Sequence, residues 1–161
     1  MKVLYIHGLD SHPTPQKVNM IAERGHEVFA LHLNYRVEAD AYPILKKYAI
    51  ENQVEFIVGS SLGGFLGFYL AEELGLDCLL FNPAMGVSLA EAKISADFKR
   101  ACNKRYVILG DKDEVVNPNL NWEFFQKPEN QTPHQRVIRC QWLAHQIDLP
   151  SFKEFISLAG L

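Results

Sequence analysis

The chain is short of what specialised surfaces and compartments demand. It has three cysteines, Cys78, Cys102 and Cys140, an odd number at irregular spacing with no Cys-x-x-Cys. That argues against a disulfide framework and a cysteine zinc site, and fits reduced, mostly buried thiols in a cytoplasmic protein. Positive charge is not in excess: 16 Lys and Arg stand against 19 Asp and Glu, a net charge of −3. The lack of a concentrated basic surface argues against nucleic acid as a partner, since phosphate binding needs one. No apolar run approaches a membrane span. The first one, Val3 to Ile6, is too short for the core of a signal peptide. Linkers, repeats and low-complexity tracts are absent too. What is left is an ordinary globular composition, 48% apolar and 22% charged over 161 residues, enough for one domain, 1–161, with a real core.

Strand-like and helix-like segments alternate from end to end. Strands are expected at Lys2–His7, Glu27–Leu31, Phe56–Gly59, Cys78–Asn82, Arg105–Gly110 and Arg136–Cys140. Most are continuous apolar runs, as parallel strands covered on both faces require. Helices are expected after Thr14-Pro15 up to Gly25, over Asp40–Glu51, from Leu62 to Gly75, and from Asn117-Pro118 through Trp122 and Phe125. A last one is expected to be capped by Ser151 with Glu154. Such alternation predicts an α/β fold, a three-layer sandwich around a doubly wound, mostly parallel sheet of about six strands. An order 2-1-3-4-5-6 puts the switch point, where such sheets carry their chemistry, between strands 1 and 3.

Strand 3 ends in Gly59-Ser60-Ser61-Leu62-Gly63. This G-x-S-x-G pattern is weak on its own. Here an apolar strand precedes it and a buried helix follows, the context of the sharp turn that exposes a nucleophilic serine. Ser61 sits at its centre. A serine hydroxyl needs a base within hydrogen-bond reach. Of six histidines, His7, His12, His26, His32 and His134 lie at strand ends, junctions or proline-containing loops. His145 follows the last strand, on the sheet edge where Ser61 opens. An acid should orient the imidazole. Asp113, after strand 5, gives the order Ser61…Asp113…His145, with Asp111 and Glu114 as competitors. The backbone N–H groups of Leu9 and Leu62 are the expected oxyanion donors. Phe65, Met85 and Trp142 are expected near an acyl pocket, although aromatics at such positions are more often core.

These residues together resemble the α/β-hydrolase superfamily, and within it small bacterial esterases of the YqiA type. The matching stretches are Leu4 to Ser11, Ile57 to Gly64, Phe81-Asn82-Pro83-Ala84, Gly110 to Val116, and His145. The resemblance implies a reduced α/β-hydrolase fold and a serine esterase with Ser61 as nucleophile, Asp113 as acid and His145 as base. It also implies no metal or organic cofactor. Two departures stand out. Such esterases carry glycine shortly before the histidine, where this chain has Trp142, Leu143 and Ala144. The segment 83–104, where larger relatives build a cap, is short, and Met85, Val87, Leu89 and Phe98 make at most a small lid. Short acyl chains or small soluble esters and thioesters are the expected substrates. The competing reading is a non-catalytic binding protein using the same cleft. A phosphate binder is disfavoured, because Gly59–Gly64 has no neighbouring lysine.

Overall fold

A computed structural model describes residues 1–95, 101–102 and 104–161. Its six strands are β1 (Lys2–Ile6), β2 (Glu27–Phe29), β3 (Phe56–Ser60), β4 (Asp77–Phe81), β5 (Lys104–Gly110) and β6 (His134–Cys140). Every neighbouring pair is parallel, and the order is β2-β1-β3-β4-β5-β6. The expected order is therefore the observed one. From β1 the chain steps outward to β2, then returns to β3 on the other side. The carboxyl ends of β1 and β3 consequently flank a crevice at the switch point.

Two apolar layers cover the sheet. On one face, α2 (Ala41–Glu51), α3 (Leu62–Leu74) and α4 (Pro118–Gln126) pack through Leu45, Phe68 and Phe125 against Leu4, Ile57 and Leu80. On the other, α1 (Pro15–Ala22) and α5 (Leu149–Ala159) bring Ile21, Phe152 and Phe155 onto Val3, Val58 and Phe81. The alternation of strand side chains to opposite faces produces this division. Helix α3 is buried along most of its length, including the Glu72 carboxylate. That charge is tolerated because Arg105, fully buried on β5, forms an ion pair with it and also donates to the Asn130 carbonyl oxygen. Cys78, Cys102 and Cys140 are buried free thiols.

Helix starts differ from expectation in two places. The cap of α5 is Asp148, not Ser151: its carboxylate accepts from the Ser151 N–H at 2.9 Å and from the Ser151 hydroxyl. With Pro150 in the first turn, where proline is tolerated, the cap falls two residues before the proline. Ser151 is then the third helical residue, and its role in capping is that of donor. At α1, Thr14 holds the capping position with extended backbone, yet its side chain makes no capping hydrogen bond. His134, expected in a loop, opens β6, where it pairs with Lys104.

Candidate active site

At the end of β3 the backbone turns sharply. Ser61 has φ 54° and ψ −119°, a conformation that β-carbon sterics disfavour. Its N–H donates to the Phe81 carbonyl oxygen, and its own carbonyl oxygen accepts from Phe65 and Ala84. These bonds hold the strained residue between β4 and the start of α3. The turn demands glycine at Gly63, where a β-carbon would lie 2.2 Å from the Ile6 carbonyl oxygen. Helix α3 thus starts almost in contact with the end of β1, which no larger residue permits.

Three side chains from three loops meet over this turn. His145 Nε2 lies 3.1 Å from Ser61 Oγ, and His145 Nδ1 lies 2.8 Å from Asp113 Oδ2. A carboxylate only accepts, so Nδ1 carries the proton and Nε2 presents a lone pair to the serine hydroxyl. The Asp113 side chain is 1% exposed, and its other oxygen accepts from the N–H groups of Val115 and Val116, each at 2.8 Å. Its competitors are placed elsewhere: Asp111 pairs with Arg139, and Glu114 is exposed.

The glycine-poor loop before His145 is shaped from outside itself. A β-carbon on Gly110 would lie 2.5 Å from the Leu143 carbonyl oxygen, so the glycine this loop needs stands on the neighbouring strand. Lys112 N–H donates to that same oxygen. Asn82, buried and at φ 42°, completes the clamp. Its Nδ2 donates to the carbonyl oxygens of Ala144 (2.9 Å) and His145 (3.1 Å), while its Oδ1 accepts from Gly110 N–H at 2.7 Å. Sequence reasoning assigned Asn82 no role. Its signal was an asparagine before proline at a strand end, a residue type that tolerates left-handed backbone.

Of the other histidines, His7 is a strut. Its Nε2 accepts from Leu33 N–H at 3.1 Å, so Nδ1 is the protonated nitrogen and donates to the Gly8 carbonyl oxygen. Burial pulls its pKa below the ordinary histidine value, keeping it neutral. The Tyr35 hydroxyl donates to the His7 carbonyl oxygen at 2.9 Å.

Ser61 and His145 open into a cleft of about 410 Å³ that Gly8, Leu9 and Ser60 also line. Leu62 opens α3, and its side chain faces a separate cavity beside Tyr42 and Leu66. The three residues expected near an acyl pocket lie elsewhere. Phe65 is fully buried, because the fourth residue of α3 faces the sheet. Trp142 lies on the outside, 56% exposed, with its indole N–H on Ser151 Oγ. Met85 lines a neighbouring cavity of about 430 Å³ with Val115, Leu120 and Phe124. Met85, Val87 and Leu89 pack against the α2–α4 side of the core, and no described residue of 83–95 lines the Ser61 cleft. Phe98 lies outside the described residues. Among the described residues, no group of three His, Cys, Asp or Glu is arranged to hold a metal ion, and no helix is long and apolar enough to cross a membrane.

Parallel sheet order, a serine on a strained strand–helix turn and helices on both faces define the α/β-hydrolase fold. Solved structures agree. A monoacylglycerol lipase from Paleococcus ferrophilus superposes with a TM-score of 0.77 at 15% identity, covering 99% of this chain and 92% of its own. An alpha/beta hydrolase enzyme from the metagenome of Mar Chica lagoon sediments gives 0.71 at 15% identity, covering 99% and 89%. The ydeN gene product of B. subtilis gives 0.70 at 17% identity, covering 99% and 98%. The chain belongs to the uncharacterised protein family UPF0227, whose sequence pattern matches residues 2–132. No curated protein is significantly similar in sequence.

Proposed function

We propose that this protein is a serine hydrolase that cleaves small carboxylic esters or thioesters. The observation that carries the reading is the continuous hydrogen-bonded line from Ser61 Oγ through His145 to Asp113. In the proposed reaction Ser61 Oγ attacks the carbonyl carbon while His145 Nε2 takes its proton. Asp113 holds the ring and stabilises the imidazolium without becoming protonated. The N–H groups of Leu9 and Leu62 stabilise the tetrahedral oxyanion, each worth a factor of about 10² to 10³ in turnover. His145 then returns the proton to the departing alcohol or thiol, leaving an acyl-serine. A water deprotonated by the same nitrogen attacks the acyl carbon, and Ser61 leaves with its proton restored.

Several structural neighbours carry hydrolase, lipase or esterase names, which supports the reaction class; at their low identity they speak for the fold. The test is hydrolysis of short para-nitrophenyl esters by the wild type and Ser61→Ala. Loss of turnover in the variant is expected. Equal rates remove Ser61 from the reaction, and a folded wild type without turnover favours the binding-protein reading.

A further inference from the structure

The Ser61 cleft also carries a positive charge that no contacting carboxylate neutralises. Lys17, the third residue of α1, lines it together with Thr14. The first turn of α1 has no acidic residue, and a cation at that end opposes the helix dipole. Lys17 is partly buried, with Nζ 5.4 Å from the centre of the Phe152 ring. Among the described residues its ammonium makes no hydrogen bond or ion pair. Burial lowers its pKa, with Asp148 acting against that shift from a distance. Asp148 itself is occupied in capping α5. Beside Lys17, the Thr14 hydroxyl oxygen is buried and has no hydrogen-bond partner, a property it shares only with Arg105 Nε among the described side chains. A threonine at a helix cap ordinarily bonds to the first-turn N–H groups; this one does not.

The other ionisable groups lining the cleft do not neutralise Lys17. Asp10 is gripped by Arg36 through Nε and a terminal nitrogen. Burial pushes the Tyr5 phenol up to about 12, so it stays uncharged. His12 and His145 are the remaining two, and neither supplies negative charge. A partly buried ammonium and an unpaired buried hydroxyl lining one cleft are groups that a ligand oxyanion would satisfy together.

Resting on the hydrolase reading, we propose that the substrate carries an oxyanion, a carboxylate or phosphate set apart from the scissile ester, which Lys17 and Thr14 receive. The alternative, a neutral ester held by apolar contact alone, leaves the Thr14 hydroxyl without a partner and the Lys17 ammonium without a hydrogen bond in the complex.

The test compares kcat/KM for matched anionic and neutral esters: mono-para-nitrophenyl glutarate, para-butyryloxybenzoate and para-butyryloxyphenyl phosphate, each against its fully methyl-esterified, uncharged form (the dimethyl ester for the phosphate). The first two place a carboxylate on the acyl or the alcohol side, and the third separates phosphate from carboxylate. At least one anionic ester should exceed its neutral partner by about tenfold or more, the order of a charge-assisted hydrogen bond. Lys17→Met should bring that ratio close to one, and Lys17→Arg should retain part of it. Ratios near one in the wild type for all three pairs overturn the proposal, as does a preference that survives Lys17→Met. Calorimetric titration of Ser61→Ala with monomethyl glutarate and with phenyl phosphate separates the two readings. Lys17-dependent binding together with a wild type that hydrolyses none of the esters sinks the hydrolase reading and keeps the anion site. Ser61-dependent turnover with no anion preference and no such binding does the reverse.

Discussion

Replacing Asn82 by Ala should damage the site without touching any of its three side chains. The substitution removes three hydrogen bonds, two to the carbonyl oxygens of Ala144 and His145 and one from Gly110 N–H. Each is worth about 0.5–1.5 kcal/mol net in a buried setting. Alanine must also adopt the left-handed backbone seen at φ 42°, which costs about 1 kcal/mol more than for asparagine. The sum is a loss of about 2.5–5.5 kcal/mol, read from urea unfolding. Activity should fall further than stability implies. The residue whose carbonyl is released carries the proposed base, and a misplacement of about 1 Å costs on the order of 10²-fold. The assay is kcat on para-nitrophenyl butyrate at a temperature where the variant is fully folded. Asn82→Asp separates the contributions: it keeps an acceptor for Gly110 but sets a carboxylate oxygen against two carbonyls, so it should also lose activity. An Asn82→Ala protein with wild-type stability and turnover would refute the clamp.

Three further outcomes follow from the same structure. Glu72→Gln or Arg105→Met alone should lower unfolding free energy by about 3–5 kcal/mol, because each strands a buried partner; joint replacement by Leu and Met should recover much of it, as read by urea titration. Asp148→Ala should cost about 0.5–2 kcal/mol through the lost cap of α5. The Ser151 backbone N–H holds the Asp148 carboxyl below its usual range; its contribution is present above the unfolded carboxyl pKa and lost as pH falls through the lower folded value. The gap between wild type and Asp148→Ala should therefore close in acid, and a gap independent of pH contradicts the cap's charge. Asp113→Asn should preserve the fold in circular dichroism while reducing kcat by about 10⁴, the loss expected when the imidazole takes the wrong tautomer.

Much of the fold was legible because parallel strands buried on both faces announce themselves as apolar runs, and the strand order follows from chirality and switch-point rules. Ser61 was legible for the same reason: the turn needs small residues at fixed offsets. The choice of Asp113 over Asp111 and Glu114 rested on chain order, and only the loop's geometry shows that Asp113 alone faces His145. Pocket residues were not legible. Phe65 and Trp142 have the right chemistry, yet helix phase turns one into the core and loop direction sends the other outward. The loop before His145 looked under-provided with glycine because its support lies elsewhere, in Gly110 and in an asparagine 62 residues before Ala144. Such support is tertiary and leaves no local pattern. The start of α5 misled for a simpler reason, since Asp148 and Ser151 are both good caps and only the placement of Pro150 selects between them.

The proposed reaction stands on His145 and Asp113 making Ser61 a nucleophile. Treating the folded protein with a fluorophosphonate probe and mapping the adduct by peptide mass spectrometry tests it directly. One adduct is expected, on Ser61, formed far more slowly in His145→Ala and absent in Ser61→Ala. An unlabelled wild type, or an adduct on Ser60 or another residue that persists in Ser61→Ala, would contradict it.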